Sequence, residues 1–204
     1  MLIRPPEFIK RLYPSYIWRF PDEKNGIFLT FDDGPCPEMT PWVLDQLDRY
    51  DARATFFVLG KNVELYPKLF AEIIKRGHSV GNHSYSHISG WKMDWNSYVR
   101  DFDTADELIH SKIYRPPYAQ IKRRQYIELE DRYRGVMWSI ISRDYNFNLP
   151  ARKCAENVLK HLAPGEILVF HDSKKAAKNL WHTLPIVLKR IKEMNLECKP
   201  IILP

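Results

Sequence analysis

Long apolar runs are missing from this chain. No stretch approaches the roughly 18 uninterrupted apolar residues that cross a bilayer, so a membrane-spanning helix is excluded. The first residues, Met1 to Pro21, mix Arg4, Lys10, Arg11 and Arg19 with Pro5, Pro6 and Pro14. They lack the apolar core and small-residue cleavage site of a secretory signal, which makes a cytoplasmic location the expectation. Cysteine is scarce. Cys36, Cys154 and Cys198 are an odd number at wide spacing, which argues against a disulfide framework and against a Cys-x-x-Cys metal site. Repeats, low-complexity tracts and linker-like segments are absent as well, so nothing divides the chain.

What remains is the composition of a globular protein. Hydrophobic residues make up 45% and charged residues 27%, with six Trp and eleven Tyr, values unlike those of a disordered chain. A length of 204 residues suits one domain with a substantial core and is short for two, so a single domain over 1–204 is expected, with 1–25 as an N-terminal extension. The formal charge of +6 favours encounter with anionic polymers or surfaces, which concerns steering and not chemistry. The densest basic cluster, Lys174, Lys175 and Lys178, reads as a solvated helix face, and no nucleic-acid partner is expected.

Apolar runs rich in β-favouring residues predict strands at Ile27–Phe31, Ala54–Leu59, Ser79–Val80, the approach to Arg115, Val136–Ile141, Ile167–Phe170 and Pro200–Leu203. Between them, helical patterns run from Thr40 to Tyr50, Asn62 to Arg76, Asn96 to His110, Lys122 to Arg132 and Ala151 to Leu162, with a long last helix before the final strand. Strands alternating with helices call for parallel pairing, in an α/β barrel or a doubly wound sheet. Asp32, Asp33, Arg115, Asp144 and His171 each fall at or just after the end of a predicted strand, and His83 and His87 follow a short one. In α/β barrels that is the rim where active sites assemble.

Two histidines four apart, His83 and His87, can share a metal from one side of a helical turn or of an extended segment. Taken alone the pair is better read as two hydrogen-bonded loop residues, since seven histidines make such a spacing common by chance. Adjacent Asp32 and Asp33 change the weighing, because neighbouring carboxylates repel unless a cation or an arginine lies close. Two imidazoles and one carboxylate are a standard catalytic zinc set, and the second carboxylate is then free to act as a base.

In order along the chain stand Thr30-Phe31-Asp32-Asp33-Gly34-Pro35, Gly81-Asn82-His83-Ser84-Tyr85-Ser86-His87, Arg115-Pro116-Pro117-Tyr118, Ser142-Arg143-Asp144-Tyr145 and Val169-Phe170-His171-Asp172. Through these five motifs the chain resembles the polysaccharide deacetylases with a NodB homology domain, carbohydrate esterase family 4. Three departures stand out: Ala119 where glycine is frequent, Tyr145 where tryptophan is common and Val169 where leucine is usual. The resemblance implies a distorted (β/α) barrel, seven-stranded, and metal-dependent hydrolysis of acetyl groups from a carbohydrate, most often one containing N-acetylglucosamine. It implies one divalent ion, zinc foremost with cobalt, manganese or nickel as alternatives, held by Asp33, His83 and His87.

Under the same resemblance Asp32 is the base, the Tyr118 N–H steadies the oxyanion and His171 is the acid. Arg115 tunes Asp32, Asp144 tunes His171, and Pro116, Val169 and Tyr145 line the pocket. The partner implied is an acetylated glycan; the oligomeric state is left open. Two other functions fit the same residues: a metal-dependent amidohydrolase acting on a small cyclic amide, and a glycan-binding homologue that has lost turnover. Trp91 and Trp95, just after the histidine loop, are read evenly as sugar-stacking platforms or as core.

Overall fold

The computed structural model describes residues 3–203; Met1, Leu2 and Pro204, the ends of the predicted domain, lie outside the described residues. After helix α1 (Glu7–Leu12) the chain runs β1 (Gly26–Asp32), α2 (Thr40–Arg49), β2 (Ala54–Val58), α3 (Gly60–Leu65), α4 (Pro67–Lys75), β3 (Ser79–Asn82), α5 (Trp95–Ile109) and β4 (Ile113–Tyr114). It continues with α6 (Arg123–Glu130), β5 (Arg134–Gly135), β6 (Ile140–Ile141), α7 (Ala151–Leu159), β7 (Ile167–His171), α8 (Ala177–Glu193) and β8 (Glu197–Cys198). Short 3-10 turns occupy Gly90–Lys92 and Pro117–Ala119.

Seven parallel strands follow the order β5-β4-β3-β2-β1-β7-β6, and β8 pairs with the start of β1 off that path. Residues 134–141 bend as one segment: Arg134 and Gly135 pair with β4, whereas Ile140 and Ile141 pair with β7. The two ends of the sheet therefore meet through one stretch of chain, and the sheet curls into the distorted barrel expected from the sequence. The single strand predicted over 136–141 is this segment, interrupted at its bend.

Side-chain alternation sorts the core into two layers. On β1, Ile27, Leu29 and Phe31 pack outward with Leu44, Phe56, Phe170 and Leu184 under the helices. Phe28 points the other way, into a cluster with Phe57, Ile113, Tyr114, Val136, Ile167 and Val169 that fills the barrel. Covered on both faces, β1 is buried at every position, which is why it reads as a continuous apolar run. The N-terminal extension belongs to the same body. Tyr16 and Trp18 are buried in the barrel cluster, and Ile17 bridges to Val136 in the bend.

Two expectations need correction. The helix predicted over 62–76 breaks into α3 and α4 because Pro67 has no N–H to continue it and holds Tyr66 outside helical backbone, at φ −130° and ψ 54°. The last strand lies at Glu197–Cys198 and not at 200–203. Lys199 N still donates to Ile27 O, but Pro200 has no amide hydrogen to extend the ladder.

Candidate active site

Sheet order explains how residues scattered in sequence converge. Asp32 and Asp33 leave β1, His83 leaves β3, Arg115 leaves β4, Asp144 follows β6 and His171 ends β7, all at C-terminal strand ends of one curled sheet. The rim is conformationally demanding. Of the nine non-glycine residues with positive φ among the described residues, six lie here: Asp33, Ser84, His87, Tyr118, Ala119 and Arg143. Backbone strain of this kind persists where surrounding contacts enforce it. Ala119, at φ 57°, also explains why glycine suits that position in similar sequences.

The loop carrying His83 and His87 is not helical. Asn82 Oδ1 accepts the Ser84 N–H, Asp101 accepts Tyr85 N, Ser86 N and Ser86 Oγ, and Ser84 Oγ accepts His87 N. This bracing brings His83 Nε2 to 3.7 Å and His87 Nε2 to 3.1 Å from Asp33 Oδ1. One ligand atom from each of the three residues lies within 4.8 Å of the others. The donor chemistry fits a zinc-type ion. His83 Nδ1–H donates to Arg115 O at 2.8 Å, which leaves the Nε2 lone pair facing Asp33, and His87 Nδ1 meets the Tyr118 hydroxyl at 3.2 Å. Outer partners of this kind fix ring orientation in metal sites. Burial pulls the His83 pKa down to about 4, so the ring is neutral near pH 7. Burial opposes ionisation of Asp33, but the hydrogen bond from His87 and the nearby imidazoles outweigh it and hold this carboxyl well below the usual range.

Asp32 is 4% exposed and pairs with Arg115, which is wholly buried. Arg115 Nη1 donates to Asp32 Oδ1 at 2.6 Å and to Thr30 Oγ1 at 2.8 Å. Nε donates to Val136 O at 2.9 Å and Nη2 to Met137 O at 2.8 Å, while the guanidinium stacks 4.0 Å from the Phe57 ring. All three guanidinium nitrogens are thus engaged, and Asp32 Oδ2 is the carboxylate oxygen left for other work.

His171, in register with Asp32 on the neighbouring strand β7, is held in the same manner. Its Nδ1–H donates to Asp144 Oδ1 at 2.8 Å, and its backbone N–H to Asp144 Oδ2 at 2.8 Å. Burial would lower the pKa of this imidazole, but the Asp144 charge and hydrogen bond, together with Asp33 and Asp32, raise it to about 9. Removing the carboxylate by Asp144→Asn is expected to lower the His171 pKa by about 1–3 units. Since the acid form exists below the pKa, the alkaline limb of any activity needing that proton moves to lower pH by the same amount. A pH–rate profile of the variant beside an NMR titration of His171 checks this; an unmoved limb would show that Asp144 does not set it.

The other predicted site residues divide by depth. Tyr118 is 56% exposed beside His87, with ring centroids 4.6 Å apart. Among the described residues no hydrogen bond takes the Tyr118 N–H, although its neighbour Ala119 donates to Pro116 O. Tyr145 packs edge-on against His171 at 4.9 Å. Val169 is 1% exposed in the barrel cluster, and Pro116 is buried where β4 gives way to the Tyr118 turn. These two belong to the floor beneath the rim.

Sequence reading gave no role to the residues that clamp the aspartate turn. Asp172, fully buried, accepts from Thr40 Oγ1, which in turn accepts the Cys36 N–H, and Asp172 N donates to Asp32 O. A Cβ on Gly34 would lie 2.2 Å from Asp172 Oδ2, so only glycine lets the turn close over this carboxyl. Burial, with the charge of Asp33, pushes Asp172 up to about 8. The one available signal was an aspartate directly after His171.

Fold and donor set define a distorted α/β barrel carrying a candidate mononuclear metal centre. Residues 20–131 match the family model described as polysaccharide deacetylase, and the chain belongs to that family. It is 34% identical over 166 residues to a peptidoglycan-N-acetylglucosamine deacetylase of Bacillus cereus, covering 78% of this chain but 60% of that protein. A second Bacillus cereus protein of the same name is 30% identical over 201 residues, with 91% and 92% covered. A crystal structure of a peptidoglycan N-acetylglucosamine deacetylase in complex with 4-naphthalen-1-yl-N-oxidanyl-benzamide superposes with a TM-score of 0.87 at 29% identity, covering 97% of this chain and 94% of that one.

Proposed function

We propose that this protein hydrolyses the acetyl group of an N-acetylated sugar in a glycan, N-acetylglucosamine foremost, with one zinc-type divalent ion held by Asp33, His83 and His87. The observation that carries the reading is the pairing, around one candidate metal centre, of an arginine-held carboxylate with an aspartate-held imidazole. The names of the similar proteins support the substrate class. When bound, the ion supplies Lewis acidity toward the acetyl carbonyl and the attacking water.

The chain's own residues do the rest. Asp32, held in place by Arg115, takes a proton from the water as its oxygen bonds to the carbonyl carbon. The Tyr118 N–H donates to the carbonyl oxygen as negative charge gathers there. His171 gives its proton to the departing nitrogen, the carbon–nitrogen bond breaks, and acetate and a free amino sugar result.

Acetate release from chitooligosaccharides tests the reading. Turnover is expected with zinc, cobalt or manganese supplied, loss with a chelator, and recovery on adding metal back. No acetate from any acetylated sugar, with an ion demonstrably bound, would refute it, and ring opening of a cyclic amide in its place would move the protein to amidohydrolase chemistry.

A further inference from the structure

Beside His87 the surface opens into a groove of about 510 Å³ lined by His87, Ile88, Ser89, Lys92, Tyr118 and Gln120. This volume falls within the ~300–1,000 Å³ of small-ligand sites. Among the described residues no carboxylate lines the groove. Lys92 is exposed, and among the described residues its ammonium has no ion-pair partner. Gln120 Oε1 accepts from Ser89 Oγ, which leaves the amide nitrogen as a donor. The wall therefore offers a cation and donors, a set that suits an acceptor-rich, anionic ligand.

The wall is also preformed. Gly90 N donates to Gln120 O, Gln125 Nε2 donates to Gly90 O at 2.9 Å, and Lys122 Nζ donates to Met93 O at 2.6 Å. A Cβ on Gly90 would lie 2.5 Å from Gln125 Oε1, so the loop is pressed against its support with no slack. On this braced loop Trp91 stands 62% exposed, whereas Trp95 is covered by the Arg124 guanidinium 3.8 Å away. A large apolar ring kept in water on a rigid loop is suited to stacking on a sugar face.

We propose that the groove beside His87 is a subsite for the sugar next to the one being deacetylated, with Trp91 as its platform, and that Lys92 pairs there with a carboxylate carried by that sugar. The chemical class is a glycan in which N-acetylglucosamine alternates with an acidic sugar whose carboxylate is free, such as a muramic acid whose lactyl group carries no peptide. Lys92 is then a specificity-determining residue. This rests on the deacetylase reading for the reacting sugar, and the carboxylate contact is its own addition.

Two substrates separate the cases: a neutral chitooligosaccharide, and a peptidoglycan fragment with free lactyl carboxylates. The ratio of their kcat/KM values, anionic over neutral, is expected to fall about tenfold in Lys92→Met, through KM, and to lose its salt dependence. Amidation of the fragment's carboxyl groups should reproduce that fall with the unaltered protein. Calorimetric binding of the already deacetylated fragment supplies a readout without turnover, and Lys92→Met is expected to weaken it about tenfold. An unchanged ratio together with unchanged binding overturns the subsite. Carboxylate-dependent binding with no acetate release from either substrate would retain the subsite and sink the deacetylase reading.

Discussion

Asp32→Asn is expected to lower kcat for acetate release by about 10²–10⁴-fold while zinc binding at the candidate centre is retained. Asparagine matches aspartate in shape and offers no oxygen basic enough to take a proton from water. The surrounding scaffold persists, because Arg115 keeps its bonds to Thr30, Val136 O and Met137 O. The candidate ligands are untouched, since Asp33, His83 and His87 are held by separate contacts at Asn62, Arg115 O and Tyr118. Steady-state acetate assays, chelator-competition titration of zinc and a thermal melt on the same preparation together check the claim. A variant that binds zinc and turns over at near the original rate would place the base elsewhere.

Arg115→Met should produce the largest loss of stability of any change at the rim, about 3–5 kcal/mol in urea unfolding. The guanidinium is wholly buried, and its removal strands the carboxylate of Asp32, itself 4% exposed, without its 2.6 Å partner. The Val136 and Met137 carbonyls and the Thr30 hydroxyl lose a donor too. If the stranded charge is the main cause, adding Asp32→Asn should recover a large part of the loss, giving a coupling energy that a double-mutant cycle reads directly. Independent, additive losses would show that packing, and not charge, makes Arg115 necessary.

The barrel was legible where local pattern and tertiary demand agree. β1, β2 and β7 are buried on both faces, so their apolar runs are unmistakable, and the rim residues follow those strands by simple counting. β4, β5, β6 and β8 are two residues each, too short to carry a period, and their edges are set by neighbours distant in sequence. Motif spacing placed Asp32, Asp33, His83, His87, Arg115 and His171 on the rim. It was silent on Asp172 and Thr40, because a buried carboxyl beneath a turn is defined by what lies above it, 132 positions away in the Thr40 hydrogen bond. The Lys92 groove was equally hidden, since it exists only through the bracing of residues 89–93 by Gln120, Lys122 and Gln125.

Arg115 grips two partners with different parts of itself: the backbone carbonyl orients His83, and the guanidinium holds Asp32. The aim of the candidate ligand imidazole and the position of the proposed base are consequently mechanical properties of one residue at the end of one strand. A displacement of β4 would turn the imidazole and release the carboxylate in the same movement, so the rim fails or functions as a unit, and half-assembled states that bind an ion without a poised base are disfavoured by construction.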